Sequence, residues 1–318
     1  MSLPEIKFVP PDFRVSYSSL NTAASCLRKF EFNKLYPRKP RDQEEQFAAD
    51  VGKALHAAVQ HWMIHGDEDA ALWILMREFP YVWEYYQTRD DRNLEAAIAT
   101  LEMIVDSVDM TEWELVEIRL EDGTVVPAIE VPFEIRLKGL TLSDGREIVY
   151  TGFIDAIMRH KGTGLVRTLD IKTHRSTLRD ATAKYKFDSQ QVPYGIIVEH
   201  LQGNVVEQFE VLYLDCFIDL VEPRVTLYPF LKLHEDLQEW MMDTLLRIRQ
   251  IQTSHQMDYF PRASGGCMAW NKPCYFLDVC ETRNKDAIEM WLLEGEEPAE
   301  ERPWDPWIRV ELDMGVGA

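Results

Sequence analysis

Gly152-Phe153-Ile154-Asp155 and, beyond a Gly-rich turn, Leu169-Asp170-Ile171-Lys172 are the stretches on which the reading of this chain turns. Each sets an acid among apolar residues, within segments (Val149 to Met158 and Leu165 to Ile171) whose alternation has the period of a strand. A period of two puts Asp170 and Lys172 on one face and turns Ile171 into the core. A carboxylate and an amine then share one site. If the hairpin sets Asp155 beside Asp170, two anionic groups converge, and their repulsion favours a cation between them. Mg²⁺ or Mn²⁺ is the economical answer. Lys172 is then placed to orient a water or to stabilise the added charge of a phosphoryl transition state. An Asp-x-Lys tripeptide alone also reads as a salt bridge at a sheet edge, so its surroundings decide.

Outward from the hairpin, Trp113 to Leu120 and Ile129 to Leu137 precede it as strands, and Val205 to Asp215 and Arg224 to Tyr228 follow it. The first third is helical. Ser16 or Ser18 caps a helix running to about Leu35, where Pro37 and Pro40 end it. A second helix, about Gln43 to His65, carries Val51, Leu55, Val59 and Trp62 on one face. Helices near Asp69 to Gln87 and Asp91 to Asp109 follow, and later ones cover about Asp188 to Leu201 and Leu231 to His255. On the second helix Gly52 permits close approach and His56 offers an imidazole. On the Asp188 to Leu201 helix, Gln190 and Tyr194 stand four apart, so they are expected to share a face where an amide and a phenol can hold a phosphate or base.

Gly52 to His56, Gly152 to Asp155, Asp170 to Lys172 and Gln190 to Tyr194 therefore form the ordered series Gly-x-x-x-His, Gly-x-x-Asp, Asp-x-Lys and Gln-x-x-x-Tyr. This series resembles the PD-(D/E)xK nucleases. More narrowly it is similar to the RecB-type branch, which includes the iron–sulfur exonucleases of CRISPR adaptation and related phage proteins. The resemblance covers about Ser16 to Cys280. It implies an α/β, restriction-endonuclease-like mixed central sheet flanked by helices. It also implies that His56, Asp155, Asp170 and the backbone carbonyl of Ile171 are metal ligands, that Lys172 is the catalytic lysine, and that Gln190 and Tyr194 help hold the strand. Glu130, in the strand before the acid hairpin, is a candidate supporting acid rather than a ligand.

The chain has five cysteines, an odd number that suits metal ligands or core thiols better than disulfides in a reducing compartment. Cys267, Cys274 and Cys280 crowd together in a Gly/Pro-bearing stretch, whereas Cys26 lies near the start. In the iron–sulfur members of the branch, one cysteine of the N-terminal helix joins three near the C-terminus to hold a 4Fe–4S cluster, and these four match that layout. The first spacing, Cys267 to Cys274, is wider than in the CRISPR exonucleases, and a Cys₄ Zn²⁺ site is the competing occupant. Cys216, in a strand, is left as a core thiol.

Over 318 residues the net charge is −20, which repels DNA at long range. The distribution matters more than the total. Arg28, Lys29, Lys34, Arg38, Lys39 and Arg41 form one basic group, and Lys172, His174, Arg175, Arg179, Lys184 and Lys186 another. Arg28, Lys29 and Arg175 are the expected strand contacts beyond the motifs. Charges beyond a Debye length, roughly 8 Å, would be screened from a strand lying along these groups.

The organisation expected is one composite nuclease domain: a helical region over 1–110, a nuclease core over 111–258, and a cysteine segment with an acidic tail over 259–318. The function expected is a metal-dependent DNA nuclease, an exonuclease engaging strand ends, that hydrolyses phosphodiesters by in-line attack of a cation-activated water. Its setting would be recombination, repair or phage DNA metabolism, with a recombination, repair or CRISPR-type protein as possible partner. The alternatives are a catalytically idle nuclease-fold DNA-binding or assembly protein and a zinc-stapled interaction protein. No apolar run approaches the roughly 20 residues of a membrane helix, and the N-terminus lacks a signal-peptide pattern, so the cytoplasm, a host's if phage-encoded, is the expected compartment.

Overall fold

The computed structural model describes residues 12–34, 43–80, 93–174, 181–219, 221–263, 267–269, 272–282 and 304–315. In chain order these form β1 (Asp12–Val15), α1 (Tyr17–Ser25), α2 (Leu27–Lys34), α3 (Gln43–His65), α4 (Glu68–Glu78) and α5 (Leu94–Ser107). Then come β2 (Trp113–Leu115), β3 (Glu117–Arg119), β4 (Val125–Pro127), β5 (Ile129–Thr141), β6 (Glu147–His160) and β7 (Val166–His174). The rest are α6 (Ala181–Lys186), α7 (Tyr194–Gln202), β8 (Gln208–Phe217), β9 (Arg224–Leu233), α8 (His234–Gln256), β10 (Met268–Ala269), β11 (Lys272–Pro273), α9 (Leu277–Thr282) and β12 (Ile308–Asp313).

The main sheet is mixed, as expected, with the order β12-β5-β6-β7-β8-β9 and with β1 and β2 also on β6. Two compact units partition the chain, and β5 and β6 give residues to each. One comprises 1–41, 132–152 and 238–318, the other 42–131 and 153–237. In the first, β12 runs parallel to β5 and β1 parallel to the start of β6. In the second, β6 and β7 are antiparallel, β7 and β8 parallel, and β8 and β9 antiparallel, with Asp170 opposite Tyr213 and Lys172 opposite Asp215. A parallel β7–β8 pair needs a crossover, and α6 and α7 lie within it.

The second unit's core explains why α3 forms where it does. Val51, Leu55, Val59 and Trp62 are buried together with Leu169, Ile171 and Leu214 of the sheet and with Leu101 and Ile104 of α5. Asn93 caps α5 through the Ala96 amide and Asp67 caps α4 through the Ala70 amide.

Several expected elements differ from those observed. The first helix is two: after the Ser16–Ser19 capping box, the backbone turns extended at Cys26 (φ −166°, ψ 114°) and restarts at Leu27. Ser25 Oγ donates to the Thr22 carbonyl there, a side-chain competitor for helical bonding. Trp113 to Leu120 is split between β2, on β6, and β3, which pairs with the unforeseen β4. The helix expected from Asp188 starts at Tyr194, because Pro193 occupies the N-cap and disfavours helical backbone before it. Gln190 and Tyr194 therefore do not share a helical face. The leader and tail each supply a strand, β1 and β12. Gln87, Asp91, Pro37, Pro40 and the acidic run Glu294 to Glu301 lie outside the described residues.

On α7, a Cβ at Gly195 would sit 2.6 Å from Cε1 of the buried Phe209. Gly195→Ala is expected to lower stability by about 1–3 kcal/mol through overpacking. Combined with Phe209→Leu in a denaturant double-mutant cycle, it should cost less than the sum of the single changes.

Candidate active site

The residues of the ordered motifs that the structure brings together all belong to the second unit, Gly152 alone excepted. Gly52 on α3 faces β7. A Cβ there would lie 3.1 Å from Thr173 Oγ1, so the absent side chain lets helix and strand approach. One turn on, His56 Nε2 lies 3.1 Å from the Ile171 carbonyl oxygen. Its Nδ1 lies 3.7 Å from Glu130 Oε1 and 3.8 Å from Asp155 Oδ2. The Ile171 amide donates to Asp155 Oδ2 at 2.7 Å. The main chain of Ile171 therefore serves two site residues while its side chain is buried in the core.

Asp170 and Lys172 stand on the other face of β7, as the alternation requires. Lys172 Nζ lies 2.7 Å from Asp170 Oδ2 and donates to Gln190 Oε1 at 2.7 Å. Gln190 Nε2 donates to Asp170 Oδ1 at 3.1 Å, closing a triangle. Gln190 reaches these groups from the turn before α7. Tyr194 OH donates instead to the Phe153 carbonyl at 3.0 Å, which fixes β6 just before Asp155.

The electrostatics follow from burial. Asp170 is only 3% exposed. Burial pushes its carboxyl up to about 7, with Lys172 opposing the rise and Asp155 adding to it. Burial likewise raises Asp155, against the pull of His56 and the Ile171 amide. For His56 burial alone would lower the imidazole, but Glu130 and Asp155 outweigh it and hold the ring above its ordinary value. Among the described residues, ligand atoms of His56, Glu130 and Asp155 lie within 4.8 Å of one another. One nitrogen and two carboxylate donors, crowded together and partly exposed, suit a divalent cation such as Mg²⁺ or Mn²⁺.

Glu130 was expected to support rather than to ligate, yet it is the acid that completes this triad. Its backbone is left-handed (φ 46°), uncommon for a residue that is not glycine. Gln60, one turn beyond His56 on α3, donates to Glu130 Oε1 at 2.6 Å. Sequence reasoning passed over Gln60, although its i,i+4 spacing from His56 was a readable signal. His174, placed by the sequence only in a basic group, has a partner that the sequence did not signal: its Nε2 lies 2.8 Å from Asp215 Oδ1. Tyr185 OH also bonds Asp215. Burial would raise the Asp215 carboxyl, but His174 and Tyr185 hold it below the usual carboxylate range.

The remaining candidates belong to the first unit or lie outside the described residues. Arg28 Nη1 pairs with Glu31 at 2.8 Å, and Lys29 lies beside it on α2. Arg175 and Arg179, like Arg38, Lys39 and Arg41, are outside the described residues. Cys26, Cys267, Cys274 and Cys280 are all free thiols. The Cys274 amide donates to the Cys267 carbonyl at 2.7 Å. Cys274 and Cys280 pack against Phe32, Phe276 and Val279. Burial raises the Cys280 thiol, Arg262 and Arg28 oppose this, and Cys26 and Cys267 are close enough to add to it. Cys216 is fully buried on β8 with its thiol pushed well up by burial, which fits a core thiol.

The Asp170 carboxyl titrates near 7 when folded, against an ordinary 3.8. Its neutral form is therefore the one the fold favours: the contribution to stability is full below about 4 and is lost as pH rises through about 7. In chelator, Asp170→Asn is expected to melt about 2 °C or more above the parent chain at pH 8, the gap closing as pH falls towards 4. Scanning fluorimetry over that range checks it.

No curated protein matches the chain significantly by sequence. Among solved structures, a provisionally assigned exonuclease from Eubacterium rectale is 14% identical over 88% of this chain and 98% of its own, with a TM-score of 0.41. A structure described only as SSO0001 is 12% identical over 80% of this chain and 81% of its own, with a TM-score of 0.33. The decisive comparison is with families: residues 14–281, which include every motif of the site, match the model of the PD-(D/E)XK nuclease superfamily, and the chain belongs to that superfamily.

Proposed function

We propose that the chain is a metal-dependent deoxyribonuclease that works from strand ends, with His56, Asp155, Asp170 and Lys172 as its catalytic residues. The observation that carries this reading is the convergence of motif residues from His56 to Gln190 on Asp155 and Asp170, with Lys172 bonded to Asp170. Superfamily membership supplies the reaction class, phosphodiester hydrolysis.

His56, Glu130 and Asp155 would hold a divalent cation, with Asp170 and the Ile171 carbonyl beside them. Such a cation supplies Lewis-acid polarisation of the phosphate and offsets the repulsion among the carboxylates. The protein's own groups do the rest. A lysine ammonium has three donors. Asp170 and Gln190 engage that of Lys172 and fix its position, so a remaining proton can meet a water or a phosphoryl oxygen. Held there, the ammonium orients the attacking water and stabilises charge gathering on the phosphate in the transition state. Gln190 acts through Lys172 and Asp170, and Tyr194 keeps β6 in place behind Asp155.

In the same reading Cys26, Cys267, Cys274 and Cys280 hold a 4Fe–4S cluster, sheltered by Phe32 and Phe276. Four thiolates would tie the α1–α2 junction to the segment after α8. The three sequence regions then act as one composite nuclease domain in cytoplasmic DNA recombination, repair or phage DNA metabolism, with or without a protein partner from such a system. Among the described residues no helix is long and apolar enough to cross a membrane.

The expected result on end-labelled DNA is Mg²⁺- or Mn²⁺-dependent degradation of linear strands and sparing of circles. Lys172→Ala and Asp155→Ala should each lower the rate by about 10²-fold or more. Equal cleavage by all three proteins would remove these residues from the chemistry. Strand binding without cleavage would favour the idle, assembly-type reading. For the thiol site, protein purified without oxygen should contain iron and sulfide and lose both in Cys274→Ser, whereas stoichiometric zinc would assign a Cys₄ zinc site instead.

A further inference from the structure

Phe187 is 80% exposed, between α6 and the turn that carries Gln190. A single exposed aromatic is ordinary. The support beneath this one is not: Lys232 on β9, only 5% exposed, donates through Nζ to the Lys186 carbonyl at 2.9 Å and to the Asp188 carbonyl at 3.1 Å. A buried ammonium thus grips the backbone on both sides of Phe187. Burial pulls the Lys232 amine below its ordinary value, with Asp236 and Asp188 opposing, so that grip costs stability.

The same segment is tied to the acid cluster. The Phe187 amide donates to the Ala183 carbonyl at 3.2 Å. The Gln190 amide donates to Asp188 Oδ1 at 2.9 Å, and the charge of Asp188 is felt by Asp170. Three residues after Phe187 the chain therefore delivers the amide that bonds Lys172 and Asp170. On the other side, α6 carries two cations, Lys184 over the Tyr185 ring at 5.1 Å and Lys186 over the Phe187 ring at 5.8 Å. A rigidly mounted, solvent-facing aromatic flanked by ammonium groups beside a phosphoryl-transfer site has the chemistry of a single-strand contact: cations meet phosphates and a ring meets a base. Within a duplex both faces of each internal base are covered by its neighbours, and a paired end offers only one face of its last pair, so an unpaired base can use the ring more fully.

We propose that Phe187 is a stacking platform for an unpaired base of the strand held at the acid cluster, with Lys184 and Lys186 meeting that segment's phosphates, so that unpaired ends are preferred to paired ones. This rests on the nuclease reading above, and it adds the substrate form.

The test is binding of the full chain, with Ca²⁺ in place of Mg²⁺, to oligonucleotides carrying 2-aminopurine, as single strands and as blunt duplexes of the same sequence. Phe187→Ala is expected to lower the single-strand over duplex affinity ratio about tenfold and to abolish part of the fluorescence quenching. Phe187→Trp should keep both, and Phe187→Leu should behave like Phe187→Ala. An unchanged ratio in Phe187→Ala, or a ratio preserved by leucine, overturns stacking. A parallel cleavage assay separates the two readings. Cleavage by the parent chain with an unchanged ratio in Phe187→Ala defeats only this inference, and a changed ratio without cleavage defeats only the nuclease reading. A parent chain that neither binds nor cleaves any strand defeats both.

Discussion

Two carboxylates on neighbouring strands, the part-buried Asp155 on β6 and the buried Asp170 on β7, are the constraint to which the second unit answers. Each would prefer to be neutral where it lies. The fold accepts that cost and sets compensating groups around it: the Ile171 amide and His56 for Asp155, Lys172 and the Gln190 amide for Asp170. None of these offsets the burial that raises both acids, and Glu130 beside Asp155 and Asp155 beside Asp170 add to it. On the proposed reading this arrangement would be completed by a cation, and stability is the quantity given up for it. The packing serves the same end. Gly52 brings α3 against β7 so that His56 reaches the Ile171 carbonyl, and Gly195 seats α7 against Phe209 next to Tyr194.

What was legible in the sequence was what local pattern controls. The apolar face of α3 predicted its bounds and its buried residues, and the alternation of β5 to β9 predicted the sheet. Asp170 and Lys172 on one strand face followed from the period of two. What was not legible depends on distant partners or on competition within a few residues. β1 and β12 are short, and each exists because a parallel strand far away in sequence accepts it, Val149 for Arg14 and Ile135 for Val310. The break at Cys26 and the late start of α7 at Tyr194 are local contests, hydroxyl against helix and proline against helix, that a periodicity overrides when read alone.

The candidate site divides in the same way. Motif order located His56, Asp155, Asp170, Lys172, Gln190 and Tyr194, because each motif states a residue type at a fixed spacing. It did not give Glu130 its place in the triad. In Ile129-Glu130-Val131 the acid reads as an ordinary outward residue of a strand, and only a positive φ, invisible in residue types, sets its carboxylate near His56 and Asp155. The Gln190–Tyr194 pair was expected to share a helical face; instead Gln190 bonds Asp170 from a turn, and Tyr194, the first residue of a helix, bonds the Phe153 carbonyl on β6.

The charge of −20 sharpens the question of how such a chain would hold a polyanion. Affinity built mainly from phosphate contacts needs many cations and falls steeply with salt. Among the described residues, one cation beside the acids, Lys172, is already bonded to Asp170 and Gln190. Lys232, a cation that could have faced solvent, is buried and spent on two backbone carbonyls. On the proposed reading, contacts that depend little on net charge, such as stacking to bases, would carry more of the binding. Such contacts act at short range, where the acidic remainder of the protein is screened. On the proposed reading, the acidic composition argues less against nucleic acid as a substrate than against long, sequence-independent tracking along a duplex.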